Sequence, residues 1–453
     1  MEVLIKEIET SLNIAEIYAH FNSRNNIMLD SSKEDKELSK FSFIGVNPFL
    51  IFKWFGEFGE IIKDEEIEKF ESDPLEKLRE LTEAYKIEID NKIPLVSGTI
   101  GYISYDYGKR IEGIEGVSKK NIEIPEIYFV FYDNIIVKDL SKNKTYVTSR
   151  GILKDRKISL KEIEDKIHKI IKTKDEKFSF NTNKFTSNFY KEDYLKAISK
   201  MKDYIVDGHI YIANMTQNFC CENSEDSFYT YRKLREINPA PFSAYMNLDG
   251  FEVISSSPER FLKLNNRGKV ETKPIKGTRK RGKTLEEDEK NRRELENSEK
   301  DKAELLMIVD LERNDLSKVC KPHSVKVEEL FKIEEYSTVF HLVSKIVGEL
   351  REKEDIFSLL KATFPGGSIT GAPKLRAMEI IHELEKLERG LYTGSIGYID
   401  FRGNSDFNIV IRTIIKQKDK AYFGVGGGIT YDSLEESEYE ETLDKGKALM
   451  KVL

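Results

Sequence analysis

Phe242-Ser243-Ala244-Tyr245-Met246-Asn247-Leu248-Asp249-Gly250-Phe251-Glu252-Val253-Ile254-Ser255-Ser256-Ser257-Pro258-Glu259-Arg260-Phe261-Leu262-Lys263-Leu264 decides the fold. It reads as three short strands in succession, over residues 242–247, 251–256 and 261–264. Strand following strand, without alternating helices, marks an α+β chain rich in antiparallel pairing. Upstream lies another strand, 210–221. Before it comes an amphipathic helix, 193–206, with Leu195, Ile198, Met201 and Ile205 on one face and Gly208 closing it. Downstream, residues 300–318 read as a helix, and Pro373 suits the first turn of another that stops at Gly390. Strands at 394–401, 407–416 and 420–425 then lead to a closing helix from about Ser437.

The amino-terminal part is also mostly strand, at 42–46, 49–54, 98–106 and 127–139, with helices at 74–85 and 160–171. The second of these helices carries Ile163, Ile167, Ile170 and Ile171 on one face. Residues 172–188 are polar with little periodicity and form the expected linker. The expected architecture is α+β, a large antiparallel β-sandwich-like core flanked by helices. An amino-terminal domain spans 1–171 and a catalytic domain 189–453.

With 453 residues, 73 basic against 80 acidic and a net charge of −7, the chain is expected to be soluble and not a general nucleic-acid binder. The start has no signal-peptide pattern and no apolar run reaches membrane-spanning length, so the expected location is cytoplasmic. Cys220, Cys221 and Cys320 form neither a disulfide framework nor a metal knuckle. Cys220 and Cys221 suit opposite faces of one strand.

Three kinds of group carry possible chemistry. The first is Lys276, within Lys273-Pro274-Ile275-Lys276-Gly277-Thr278-Arg279-Lys280-Arg281-Gly282. A lysine crowded by other cations in a closed site loses part of its preference for the ammonium form, and its amine can attack carbon. The same residues also suit a plain basic hairpin or a cationic patch. The second is paired carboxylates: Asp301 with Glu304 and Glu438 with Glu441, each pair three apart on one helical face. Facing one another they would make an oxygen-only Mg²⁺ site; apart they are solvated acidic faces. The third is the glycine-rich runs Pro365–Lys374 and Gly424–Gly428, which offer backbone amides to an anion or are simply turns. Arg412, in an apolar β run, either lies on an exposed face or forks onto a carboxylate. Glu259 sits at a strand-to-turn junction. His341, in Ser337-Thr338-Val339-Phe340-His341-Leu342-Val343-Ser344, is either a core histidine or an acid–base group.

Several motifs occur in one order. They are Phe41–Pro48, Gly101–Asp106, Ser-Pro-Glu-Arg-Phe at 257–261, Pro-Ile-Lys-Gly-Thr-Arg at 274–279 and Ala303–Asp315. His-Leu-Val-Ser at 341–344, Pro365–Lys374 and Glu-Tyr-Glu-Glu-Thr at 438–442 complete the series. Together they resemble the chorismate-utilising enzymes: the large subunits of anthranilate synthase and aminodeoxychorismate synthase, and the isochorismate and salicylate synthases. The resemblance covers residues 20–453. Pro-Ile-Lys-Gly-Thr is similar to the aminodeoxychorismate synthase branch, where anthranilate synthases usually read Pro-Ile-Ala-Gly-Thr. Ile212 stands where the isochorismate and salicylate branches carry a lysine base, so activation of water is not expected.

The resemblance implies that Lys276 attacks C2 of chorismate, that Glu259 protonates the departing C4 hydroxyl, and that His341 and Thr278 line the ring. It further implies that Glu304 and Glu441 bind Mg²⁺ with Asp301 and Glu438 close by. Arg412, Tyr398 and the amides of Gly426, Gly427 and Gly428 are expected to hold the enolpyruvyl carboxylate, with Gly277 beside the substrate. Ammonia is expected from a separate glutamine amidotransferase subunit. Asp30, Ser31, Pro241 and Phe242 resemble the family's tryptophan pocket, expected here to be vestigial, structural or empty.

Overall fold

The computed structural model describes residues 3–33, 38, 40–114, 116, 119–172, 178–180, 183–336 and 339–453. Ser337, Thr338 and part of the expected linker lie outside the described residues. Two long strands organise the architecture. Phe41–Trp54 and Ile127–Asp139 pair antiparallel along almost their whole length, from Phe41 opposite Asp139 to Trp54 opposite Ile127. Every residue of Ile127–Asp139 is buried, which is why the run is apolar and aromatic rather than alternating.

From this central pair the sheet splits. The first half of Phe41–Trp54 pairs with Ile27–Asp30, and the ladder continues through Phe242–Leu248, Phe251–Ser257, Thr413–Gln417, Lys420–Ile429 and Ile212–Glu222. The first half of Ile127–Asp139 pairs with Gly98–Ile103. That ladder continues through Ser395–Asp400, Ser405–Asn408, Arg260–Leu264, Lys269–Lys273 and Val339–Glu349. The β-sandwich-like α+β core is therefore built from antiparallel strands, with helices outside it.

The expected boundary at 171–189 does not separate two cores. Ile27–Asp30 hydrogen-bonds to Phe242–Leu248 and Gly98–Ile103 to Ser395–Asp400, across the presumed linker. Phe131 packs on Phe401 and Phe129 on Phe407, at centroid distances of 5.7 and 6.3 Å. A polar stretch marks where the chain leaves the core, and here the chain re-enters the same core.

Local signals explain the helix ends. Asp73 caps Pro74–Ala84 by accepting from the amides of Leu75 and Glu76, with Pro74 at the first turn. The helix expected at 160–171 is Arg156–His168, starting four residues earlier than its isoleucine pattern indicated, because Asp155 caps it. Ile171 lies beyond its end and is exposed. The helix after Pro373 runs Lys374–Glu385 and ends at Lys386, which has φ +54°, rather than at Gly390. Cys221 is buried and Cys220 half-buried on the strand Ile212–Glu222, and all three cysteines are free. Among the described residues no helix is long and apolar enough to cross a membrane.

Candidate active site

Lys276 lies on the strand Ile275–Lys280, opposite Leu342, while Thr278 lies opposite His341. A bulge separates them, and Gly277 forms it at φ +76°. A Cβ at Gly277 would stand 2.8 Å from both Asp301 Cγ and Leu295 Cδ1. Glycine is needed twice over here, for the left-handed backbone and for the close approach of two helices. The bulge turns Lys276 inward, and its Nζ donates to the carbonyl of Ser368 at 3.1 Å. From the strand Lys420–Ile429, a Cβ on Gly428 would stand 3.6 Å from the same Nζ.

Ser368 belongs to a tight turn, Gly367–Ile369. That turn is pinned from behind by Arg389, which donates to Ile369 O at 3.0 Å and to Asn214 O at 2.6 Å and forks onto Glu385 at 2.9 and 2.7 Å. Glu385 in turn accepts from the amide of Thr216 at 2.9 Å. The buried pair thus ties the turn to the strand Ile212–Glu222.

Glu259 is 6% exposed between the strands Phe251–Ser257 and Arg260–Leu264. Burial raises its carboxyl pKa, against the opposing pull of the Ser368 side chain and the charge of Lys276. A buried carboxyl whose pKa is raised, beside an amine, is placed where a general acid would stand. Thr278 Oγ1 and His341 Nδ1 are hydrogen-bonded at 2.9 Å, in a direction set by the imidazole tautomer. Burial, with the positive charges of Lys33 and Arg412, lowers the His341 pKa to about 3. At neutral pH the ring is therefore uncharged and works as a hydrogen-bonding wall.

The two carboxylate pairs come from the helices Glu299–Ser317 and Glu435–Val452. Glu304 Oε1 and Glu438 Oε1 each lie 3.9 Å from the ammonium of Lys300, so the two helices flank one cationic position. Burial raises the pKa of both, and Ser433 donates to Glu438 at 2.7 Å. Glu441 is turned to Lys445 at 2.6 Å; burial pushes its pKa up, but Lys445, Lys300 and Lys276 together lower the net value. Asp301 is engaged by Arg279 at 3.0 Å. Glu304 therefore faces Glu438 more directly than Glu441. Among the described residues no three acidic, histidine or cysteine side chains converge as a set of metal ligands. The oxygen-only donors on either side of a compact cation suit Mg²⁺ in chemistry.

Arg412 is not inside a strand. The run 407–416 breaks after Asn408 and resumes at Thr413, and Arg412 occupies the bend with φ +54°. The bend aims its guanidinium at the carbonyl of Lys445 on the last helix, near Tyr392 and Glu441. Gly426, Gly427 and Gly428 lie at the end of a strand, one that continues to Ile429 rather than stopping at 425. They belong to Lys420–Ile429 and face Thr216, Met215 and Asn214 across the ladder. The partner on the other side stops at Tyr422, so the edge beyond is open, and Lys445 donates to Gly426 O across it at 2.9 Å. Residues two apart present their backbone groups to the same edge, which adds the Gly428 amide. Gly427 lets Glu438 approach, with Oε2 3.1 Å from where a Cβ would be.

Tyr398 lies elsewhere than expected. It lines a second cavity of about 230 Å³ together with Asp30, Ser31, Pro241, Phe242 and Arg260, and packs on Phe43 at 5.4 Å. Tyr392, six residues earlier in the turn before the strand Ser395–Asp400, is the phenol beside Arg412. In the second cavity Asp30 accepts from Tyr231 at 2.8 Å and from Arg235 at 2.7 Å. Ser31 donates to the carbonyls of Phe41 and Pro241 at 2.9 and 3.1 Å. Both are bound into the wall. Sequence reasoning missed Ser368, Tyr392, Lys445 and the Glu385–Arg389 pair. Lys445, four residues after Glu441 on one helix face, was within reach of the spacing argument.

A model described as the chorismate binding enzyme matches residues 25–451, and the chain belongs to that family. It is 38% identical to anthranilate synthase component 1 of Aquifex aeolicus (strain VF5), over 99% of this chain and 93% of the relative. It is 37% identical to aminodeoxychorismate synthase component 1 of Bacillus subtilis (strain 168), over 95% of this chain and 92% of the relative. Its fold is similar to anthranilate synthase component I from Streptococcus pneumoniae TIGR4, with a TM-score of 0.81, 30% identity, and 92% and 93% of the two chains covered.

Proposed function

We propose that this chain converts chorismate and ammonia to 4-amino-4-deoxychorismate and water, as an aminodeoxychorismate synthase, with Lys276 as nucleophile. The observation that carries this reading is Lys276 itself, held by Ser368 O at 3.1 Å with Glu259 as its buried neighbour. The Lys276 amine attacks C2; the C2–N bond forms as the ring double bond shifts and the C4–O bond breaks. Glu259 gives its proton to the departing oxygen, which leaves as water. Ammonia then attacks C4, the double bond shifts back, and the C2–N bond breaks to return the lysine amine. The surplus proton on the new amine passes to the Glu259 carboxylate, restoring both residues.

Arg412, Tyr392 and the Gly426 and Gly428 amides hold the enolpyruvyl carboxylate in this reading, and His341 with Thr278 lines the ring. Glu304, Glu438 and Glu441 are the residues that would hold Mg²⁺, which when bound neutralises the ring carboxylate. Asp301, through Arg279, positions the helix. Ammonia comes from a separate glutamine amidotransferase; relatives named component 1 of their enzymes support a second subunit. The second cavity is read as a structural or empty tryptophan-like site, and calorimetry showing tryptophan binding together with inhibition would overturn that.

The test is a product assay on the chain with chorismate, Mg²⁺ and ammonium chloride at high pH, with wild type and Lys276→Ala. Accumulation of 4-amino-4-deoxychorismate by wild type, lost in the variant, is the expected result. The alternative is anthranilate synthase component I, favoured by the identity to the Aquifex aeolicus protein. Fluorescent anthranilate from wild type would establish that alternative instead.

A further inference from the structure

The helix Glu299–Ser317 turns a third carboxyl inward that the chemistry above leaves unused. Glu312 lies eight residues after Glu304, on the same helical face, and is 8% exposed. Thr272 Oγ1 donates to its Oε2 at 2.8 Å. Its Cγ would lie 3.6 Å from a Cβ on Gly367, so it stands directly behind the turn whose Ser368 serves both Lys276 and Glu259. The cations nearby are committed: Lys374 pairs with Asp315 and donates to Thr363 O, Lys318 pairs with Asp315, and Lys273 pairs with Glu334. The titratable groups facing Glu312 are thus Asp315 on its own helix, Lys374 and Glu259. Burial, with the negative charges of Glu259 and Asp315, pushes the Glu312 carboxyl up to about 8, while Thr272 and Lys374 pull the other way.

We propose that Glu312 is a positioning residue for the acid step: a buried carboxyl, held by Thr272 against Gly367 behind the Gly367–Ile369 turn, that braces the turn carrying Ser368 and, while it holds its proton, keeps a second negative charge away from Glu259. With Glu312 neutral, Glu259 can release its proton to the departing oxygen at low electrostatic cost. With Glu312 ionised, a second anion in the same buried corner opposes ionised Glu259, and the acid step slows. Glu312 keeps its own proton throughout the cycle. The proposal rests on the reading of Glu259 as the acid.

The test is the pH profile of kcat at saturating chorismate and a fixed concentration of unprotonated ammonia, for wild type, Glu312→Gln and Thr272→Val. Wild type should lose activity on an alkaline limb centred near 8, falling up to roughly tenfold per pH unit beyond it. Glu312→Gln should retain kcat below the limb to within about threefold and lack the limb, with KM unchanged. Thr272→Val should move the limb to higher pH, because the lost hydrogen bond favours the ionised form. An unchanged limb in both variants overturns the proposal. Should Glu312→Gln not fold, the Thr272→Val shift alone decides. Carbon-13 NMR of carboxyl-labelled glutamate, without substrate, follows the titration independently of turnover. A Glu312 resonance titrating near 8 with no alkaline limb would also overturn the proposal. Anthranilate as product, with the limb and its variant shifts intact, would overturn only the proposed reaction.

Discussion

Gly277→Ala tests the geometry that aims the nucleophile. The position has φ +76°, and forcing a side chain into the left-handed region costs roughly 1–2 kcal/mol. The added Cβ would also stand 2.8 Å from Asp301 Cγ and from Leu295 Cδ1. Leu295 is fully buried and Asp301 is held by Arg279, so neither yields freely. Overpacking of that kind adds about 1–3 kcal/mol. Gly250→Ala is the internal control, because its φ is +87° but nothing lies within 4 Å of its Cβ. Urea denaturation should therefore show about 1–2 kcal/mol lost for Gly250→Ala and about 2–5 for Gly277→Ala. Turnover should separate the two further. Relief of the clash shifts Lys276, and a displacement near 1 Å costs on the order of a hundredfold in rate, whereas Gly250→Ala should keep its activity. Equal stability losses and equal turnover in the two variants would refute the assignment of the bulge.

Tyr392→Phe should raise KM for chorismate severalfold while Tyr398→Phe leaves it unchanged, read from steady-state kinetics; the opposite order would return Tyr398 to the substrate. Arg389→Met leaves Glu385 buried without its cation and should lose roughly 3–5 kcal/mol in chemical denaturation. The folded His341 pKa, about 3, lies below its unfolded value. Its share of stability is thus present above the unfolded pKa and lost as pH falls toward 3. His341→Asn should therefore lose less stability than wild type between neutral and acidic pH in urea titrations. Glu304→Gln should abolish Mg²⁺-dependent turnover and weaken Mg²⁺ binding by calorimetry; unchanged binding would remove Glu304 from the metal site.

Much of the sheet was legible because its signals are local. A strand covered on both faces, such as Ile127–Asp139, writes its environment into thirteen consecutive buried residues, and a cap such as Asp73 names the start of its helix. What stayed hidden depends on partners distant in sequence. Nothing near residue 171 says that Gly98–Ile103 will pair with Ser395–Asp400, so a polar stretch passed for a domain boundary. The isoleucines of 160–171 showed a face but not its end, because Asp155 sets the register and leaves Ile171 in solvent.

The same asymmetry governs the site. Lys276, Glu259 and the four carboxylates were visible because their types and spacings are unusual together. Tyr392 and Tyr398 are both tyrosines six residues apart, and only the turn before Ser395–Asp400 decides which of them meets Arg412. Arg412 itself was placed in a strand because its neighbours are apolar. The structure instead gives it a left-handed bend, and that bend aims it at the last helix. Glu312 could not be selected from the sequence, since one acidic residue on an acidic helix carries no signal. Its neighbours Thr272 and Gly367 lie on other elements, and only their convergence turns a surface-type residue into a buried acid beside Ser368. Residues that react can be recognised by type, whereas residues that position them are recognised by what the fold brings against them, and in this chain the turn at Ser368 is where both meet.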